Sequence, residues 1–132
     1  MFKIGKRSLI TFIKRLFEIQ NYKAIINFFH VHQKPLVALL NEVFSLGKYP
    51  KILYFNSPTG PKNVTLYSEN DLSTFNLIFC RKDYLYRKKH TIILDIGSNI
   101  GLSSIYWLTR NTKTIVHCYE PSTDNFEKLK KN

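Results

Sequence analysis

Cysteine is nearly missing from this chain. Cys80 and Cys118 are the only two in 132 residues. They have neither CxxC spacing nor a neighbouring cluster, which excludes a disulfide framework and a zinc site. Cys80 ends an apolar run and Cys118 falls inside a β-prone one, so both read as buried thiols in a reducing, cytoplasmic compartment. Acidic residues are also scarce: nine Asp and Glu face twenty Lys and Arg, a net charge of +11. Such an excess suits a polyanionic partner. The basic residues are dispersed rather than striped, however, and no RNP1 motif, paired Cys/His set or compact Arg cluster accompanies them. The expectation is a general basic surface with no specific nucleic-acid partner. Long apolar runs are missing too. Lys14, Arg15 and Glu18 interrupt the N-terminal segment and no small-residue cleavage site follows, so neither a signal peptide nor a transmembrane helix is expected.

What is present suffices for one small domain. Hydrophobic residues make up 44%, with ten Phe and eight Tyr to fill a core. Three stretches are expected: an N-terminal helical region over 1–50, a hairpin and helix over 51–90, and the start of an α/β core over 91–132. In the first, residues 6–20 place Leu9, Ile10, Phe12, Ile13, Leu16, Phe17 and Ile19 at helical spacing. A second helix is expected from Tyr22 to about His32. Pro35 opens a third that stops near Gly47 and Pro50. These basic amphipathic helices suit weak contact with a membrane surface, although packing as a cap on the domain is favoured.

From Lys51 the texture changes. Ile52 to Phe55 and Val64 to Tyr67 are β-prone, and the turn-rich stretch between them predicts a hairpin with a long loop. Asn70 or Asp71 is expected to cap a helix whose Leu72, Phe75, Ile78 and Phe79 share one face. Arg81 to Lys89 reads as a polar, basic connector. Beyond it stands the clearest pattern: strand Thr91–Asp95, glycine turn, helix Leu102–Thr109, strand Thr114–Glu120, and a helix from about Thr123 to Lys130. This is a parallel β-α-β-α unit.

The chemistry sits at its first turn. Ile92-Ile93-Leu94 is a continuous apolar run, as in a parallel strand covered on both faces. Asp95 ends it, at the strand terminus where open α/β sheets bind ligands. Gly97 allows close approach of a ligand and unusual dihedrals. Gly101 lets the next helix start tight against the strand, and Asn99 between them tolerates a left-handed backbone. Glu120 ends the second strand 25 residues after Asp95, where an acid accepts hydrogen bonds from ribose hydroxyls. A dinucleotide site needs GxGxxG around a pyrophosphate. In Gly97-Ser98-Asn99-Ile100-Gly101 the middle glycine is replaced. A carboxylate at Asp95 suits an ammonium better than a diphosphate, which favours S-adenosylmethionine over a dinucleotide.

Leu94-Asp95-Ile96-Gly97-Ser98-Asn99-Ile100-Gly101-Leu102-Ser103-Ser104, followed by Tyr119-Glu120-Pro121-Ser122 and then Asn125-Phe126-Glu127-Lys128-Leu129, resembles the FkbM-type methyltransferases. Their turn reads D-[IV]-G-A-N-I-G and their acidic strand end F/Y-E-P; Ser98 stands for the common Ala. The resemblance is specific from about Thr91 to Asn132 and weaker over Asn70 to Tyr84. It implies an S-adenosylmethionine-dependent O-methyltransferase acting on a hydroxyl of a sugar, glycan, lipid or secondary metabolite. It also implies that Asp95, Gly97, Ser98, Asn99 and Gly101 contact the methionine part and the turn, that Glu120 contacts the ribose, and that Pro121 and Ser122 line the adenine side less directly. The implied fold is a Rossmann-like class I methyltransferase core, preceded by a hairpin and N-terminal helices. That core is incomplete, since such sheets have seven strands. Two alternatives follow: a catalytically inactive fragment with at most weak cofactor binding, and a basic protein of membrane surfaces or nucleic acid. Two core strands also leave a sheet edge open to self-association.

No catalytic base is nominated. His90 lies in the connector and His117 precedes the acidic strand end, and both read as structural. His30 and His32 point to different faces of a helix and lack a third ligand, so no metal is expected. Glu69 and Asp71 form a carboxylate pair, yet capping accounts for Asp71.

Overall fold

A computed structural model of the chain describes residues 3–4, 7–8, 19–43 and 48–132. It is a mixed α/β structure. In chain order it comprises β1 (Lys3–Ile4), β2 (Arg7–Ser8), α1 (Ile19–Val31), α2 (Pro35–Val43), β3 (Lys51–Ser57), β4 (Gly60–Leu66) and α3 (Glu69–Phe75). A π-helical turn (Asn76–Arg81) follows, then β5 (Ile92–Ile96), α4 (Leu102–Leu108), β6 (Ile115–Tyr119) and α5 (Thr123–Lys131). Arg7–Ser8 pair antiparallel with Lys3–Ile4, where a helix from residue 6 was expected. Residues 9–18 of that expected helix, and the stop near Gly47, lie outside the described residues. Among the described residues, no helix is long and apolar enough to cross a membrane.

The hairpin is tighter than its sequence suggests. Strands β3 and β4 pair in full from Lys51↔Leu66 to Ser57↔Gly60, leaving only Pro58 and Thr59 between them. Proline fixes one turn dihedral, and Gly60, at φ 100°, supplies the left-handed residue that brings the chain back. The Ser57 hydroxyl donates to the Gly60 carbonyl at 2.6 Å and closes the turn. Turn-forming residues thus sit inside the ladder as well as between the strands. Pro61 lies in β4 opposite Asn56.

The helix after the hairpin is capped two to three residues earlier than expected from Asn70 or Asp71. Ser68 is the N-cap, and Asp71 occupies the third helical position of a reciprocal capping box. Leu72, Phe75, Ile78 and Phe79 do share one buried face. Phe75 and Phe79 stack at 4.2 Å, and Phe55 of β3 meets both edge-on at 5.2 and 5.0 Å. Tyr106 of α4 closes the cluster against Phe79 at 5.4 Å, and the Arg110 guanidinium lies 4.3 Å over the Tyr106 ring. The β-α-β unit is therefore anchored to the hairpin through aromatic edges. Helix α1 joins from the other side. Asn27 Nδ2 donates to the Cys80 carbonyl at 2.7 Å, one of the carbonyls a helix end leaves unsatisfied.

Strands β5 and β6 pair in parallel, from Ile92↔Ile115 to Ile96↔Tyr119, with α4 as the crossover. The expectation that Ile92-Ile93-Leu94 is covered on both faces is not met. The face carrying Asp95 and Cys118 turns toward α4. The opposite face exposes Ile92 (66%), Leu94 (61%) and Ile96 (82%), together with Ile115 and Tyr119. The physical reason is that this sheet has two strands, and no element among the described residues packs on its second face.

Candidate functional site

The turn after β5 holds three left-handed residues within five: Gly97 (φ 85°), Asn99 (φ 50°) and Gly101 (φ 91°). Such a path is costly for most side chains, so glycine at its two ends and asparagine between them are what the conformation requires. The turn is fastened to the neighbouring strand. The amides of Gly97 and Ser98 donate to the Tyr119 carbonyl at 2.8 and 3.1 Å, and the Gly101 amide donates to the Ser98 carbonyl at 2.8 Å. A Cβ at Gly97 would meet nothing within 4 Å, whereas one at Gly101 would lie 2.6 Å from Leu129 Cδ1 of α5. Gly97 thus faces open space while Gly101 is a packing glycine.

The acidic strand end belongs to the same unit. The Asn99 amide donates to Glu120 Oε2 at 2.7 Å, and the Ser122 amide donates to Oε1 at 2.9 Å. Both oxygens are positioned, and each keeps a lone pair for a further donor. Pro121 and Ser122 are exposed. Ser122 caps α5 by accepting from the Asn125 amide.

Asp95 is placed differently from its neighbours. It is buried, and its Oδ2 accepts hydrogen bonds from the hydroxyls of Ser103 and Ser104 in the first turn of α4. Its own carbonyl accepts from Ser98 Oγ at 2.8 Å, which keeps Ser98 beneath the turn. The Ser104 hydroxyl is also 3.0 Å from Cys118 Sγ. Sequence reasoning gave the two serines no role beyond their place in the motif; their only signal is a Ser pair at a helix start eight and nine residues after an acid. It also missed Asn132, whose side chain donates to the Ile100 carbonyl at 2.8 Å and accepts from the Thr65 amide at 2.8 Å. That residue ties the far side of the turn to β4.

A cavity of about 130 Å³ opens at the turn, lined by Gly97, Asn99 and Ile100 together with Asp71, Thr74 and Tyr84. The histidines lie elsewhere. His90 and His117 are exposed, and His117 stands opposite Leu94 on the uncovered sheet face. His30 is exposed, whereas His32 is buried with its Nε2 2.8 Å from Asn76 Oδ1. Burial among apolar neighbours lowers the His32 pKa, with the nearby Lys51 charge adding to the effect and the Asn76 hydrogen bond opposing it. Among the described residues no group of His, Cys, Asp and Glu is arranged to hold a metal ion. Cys80 is buried, with its Sγ 3.6 Å from Asn76 Oδ1, and Cys118 is half-buried.

No protein-family model, curated protein or solved structure matches the chain.

Proposed function

We propose that the chain carries the S-adenosylmethionine-binding half of a class I, FkbM-like methyltransferase that acts on a hydroxyl of a sugar, glycan, lipid or secondary metabolite. The observation that carries this reading is the coupling of the glycine turn to Glu120. A carboxylate at the end of the second parallel strand is oriented by the backbone of the turn itself, and in a β-α-β nucleotide fold such an acid takes the ribose hydroxyls. The residues fit the cofactor in two further respects. Gly97 leaves the space above it open, and a cavity adjoins the turn.

When bound, S-adenosylmethionine supplies an electrophilic methyl on sulfur for in-line displacement by an oxygen nucleophile. Glu120 orients the ribose, and the Gly97 backbone permits close contact with the methionine part. Asn99 holds Glu120 in place. Asp95 and Ser98 set the path of the turn from below. Placement of donor against acceptor provides most of the rate in such a displacement.

Calorimetric titration of the full chain with S-adenosylhomocysteine, with NAD as the competing ligand, tests the reading. The expected outcome is saturable binding of the homocysteine compound and none of the dinucleotide. Absence of heat with S-adenosylhomocysteine, or tighter binding of NAD, overturns it.

A further inference from the structure

We infer that Asp71 is the counter-ion for the ammonium group of the ligand held at the glycine turn. This inference rests on the reading of the site as one for S-adenosylmethionine.

The sequence points to Asp95 for that role, since it stands at the strand end. The geometry assigns Asp95 elsewhere. It is 6% exposed, its Oδ2 is occupied by two serine hydroxyls, and it is not among the residues that line the cavity. The carboxylate that does line the cavity comes from α3. Asp71 Oδ2 accepts from the amides of Tyr67 and Ser68, each at 2.8 Å. These two bonds fix the side chain, while Oδ1 has no donor among the described residues. One oxygen therefore serves the helix cap and the other is available to a ligand.

Charge sharpens the point. The chain has twenty Lys and Arg against nine Asp and Glu, so an acid is rarely far from a potential partner. The ion pairs among the described residues are Arg81–Asp83 and Lys130–Glu127; Asp71 is in neither. A partly exposed carboxylate in a strongly basic chain, held rigid beside a cavity and paired with no cation, is suited to receive a cation from outside. The cavity takes one end of a ligand rather than all of it. At about 130 Å³ it is smaller than the ~300 Å³ at which pockets for whole drug-sized molecules begin. Thr74 and Tyr84, both hydroxyl-bearing residues, belong to the same lining, which suits the carboxylate that accompanies an α-ammonium.

The test compares three ligands by calorimetry on the full chain: S-adenosylhomocysteine, its analogue lacking the amino group, and 5′-methylthioadenosine, which lacks the whole amino-acid end. The unaltered chain is expected to bind S-adenosylhomocysteine at least about tenfold more tightly than the des-amino analogue, the scale of one charge-assisted hydrogen bond. Asp71→Asn keeps a carbonyl oxygen for the cap. It is expected to lose that preference and to leave methylthioadenosine affinity unchanged. Equal affinity of the unaltered chain for the first two ligands overturns the inference without needing the variant to fold. So does full retention of the preference in a folded Asp71→Asn chain, and in both cases the methyltransferase reading survives. Failure of all three ligands to bind the unaltered chain overturns both.

Discussion

The backbone N–H of Asn99 donates to Glu120 Oε2 at 2.7 Å, so the turn after one strand and the acid after the next form a single hydrogen-bonded unit. Asn99 adopts φ 50°, and its amide is thereby committed to the carboxylate. Removing the acid has two consequences: the ribose loses its acceptor and the turn loses one restraint. Glu120→Ala is expected to weaken S-adenosylhomocysteine binding about 10–100-fold, the range for losing hydrogen bonds to a charged group. Glu120→Gln, which keeps one acceptor oxygen, should fall between. Both are read by calorimetry beside a thermal melt. Unchanged affinity in Glu120→Ala would remove the ribose assignment.

The two glycines of the turn should respond differently to the same substitution. Each has positive φ, so an added Cβ costs roughly 1 kcal/mol or more from backbone strain alone. At Gly97 nothing else stands in the way, whereas at Gly101 the new atom meets Leu129 Cδ1 at 2.6 Å. Gly101→Ala is thus expected to destabilise more than Gly97→Ala, by a further ~1 kcal/mol. In a Leu129→Ala background that difference should disappear, as a double-mutant cycle by urea denaturation would show. Ligand affinity should follow the opposite order, because Gly97 faces the open side. Equal destabilisation at the two positions would contradict the packing role of Gly101.

The contrast also shows what the sequence made legible. From Thr91 onward the strand, turn, helix, strand and helix fall within a residue or two of their expected bounds, because continuous apolar strands, paired glycines and an acid in order are local signals. A helix start near Asp71 was legible, but not the cap at Ser68 nor the place of Asp71 beside the glycine turn. That depends on α3 and the π-helical turn packing through Phe75 and Phe79 onto Phe55 and Tyr106, a contact with no local signature. Asp95 was read from its position at a strand end. Its actual neighbours, Ser103 and Ser104, come from the next helix, and only the fold brings them under it. The hairpin loop was read too long because Pro61, Lys62 and Asn63 have turn chemistry, while seven consecutive residue pairs hold them in the ladder.

His32 makes stability depend on pH. Its ring is buried 4.2 Å from the Phe28 ring and 5.5 Å from that of Phe75, and burial lowers its pKa below the ordinary 6.5. The unfolded chain therefore binds a proton at a higher pH than the folded one. Between the two values the unfolded state carries more protons, so stability rises with pH. The contribution is complete above 6.5 and is lost as pH falls from there toward the folded value. Urea midpoints should fall between pH 7.5 and 5.5, and His32→Leu should flatten that slope. His30, His90 and His117 are exposed and remain in the variant. An unchanged slope in His32→Leu would remove His32 as its cause.

The uncovered face of β5 and β6 carries the last prediction. Parallel sheets are ordinarily buried on both faces, yet Ile92, Leu94, Ile96, Ile115 and Tyr119 form an exposed, largely apolar surface around His117. Each strand also has one edge unpaired among the described residues. A second copy placed face to face would bury on the order of 1,000 Å² in total, at the lower end for a specific contact. The net charge of +11 opposes that pairing, and salt screens the repulsion with a Debye length of ~30 Å at 0.01 M and ~8 Å at 0.15 M. Self-association should therefore be weak at low salt and grow with ionic strength, the reverse of an assembly held by ion pairs. Ile96→Lys, at a position already 82% exposed, should abolish it with a stability change within ~0.5 kcal/mol. Sedimentation velocity across a salt series reads both effects. A monomer at every salt concentration, or a dimer that Ile96→Lys leaves intact, would show that this face does not join two copies.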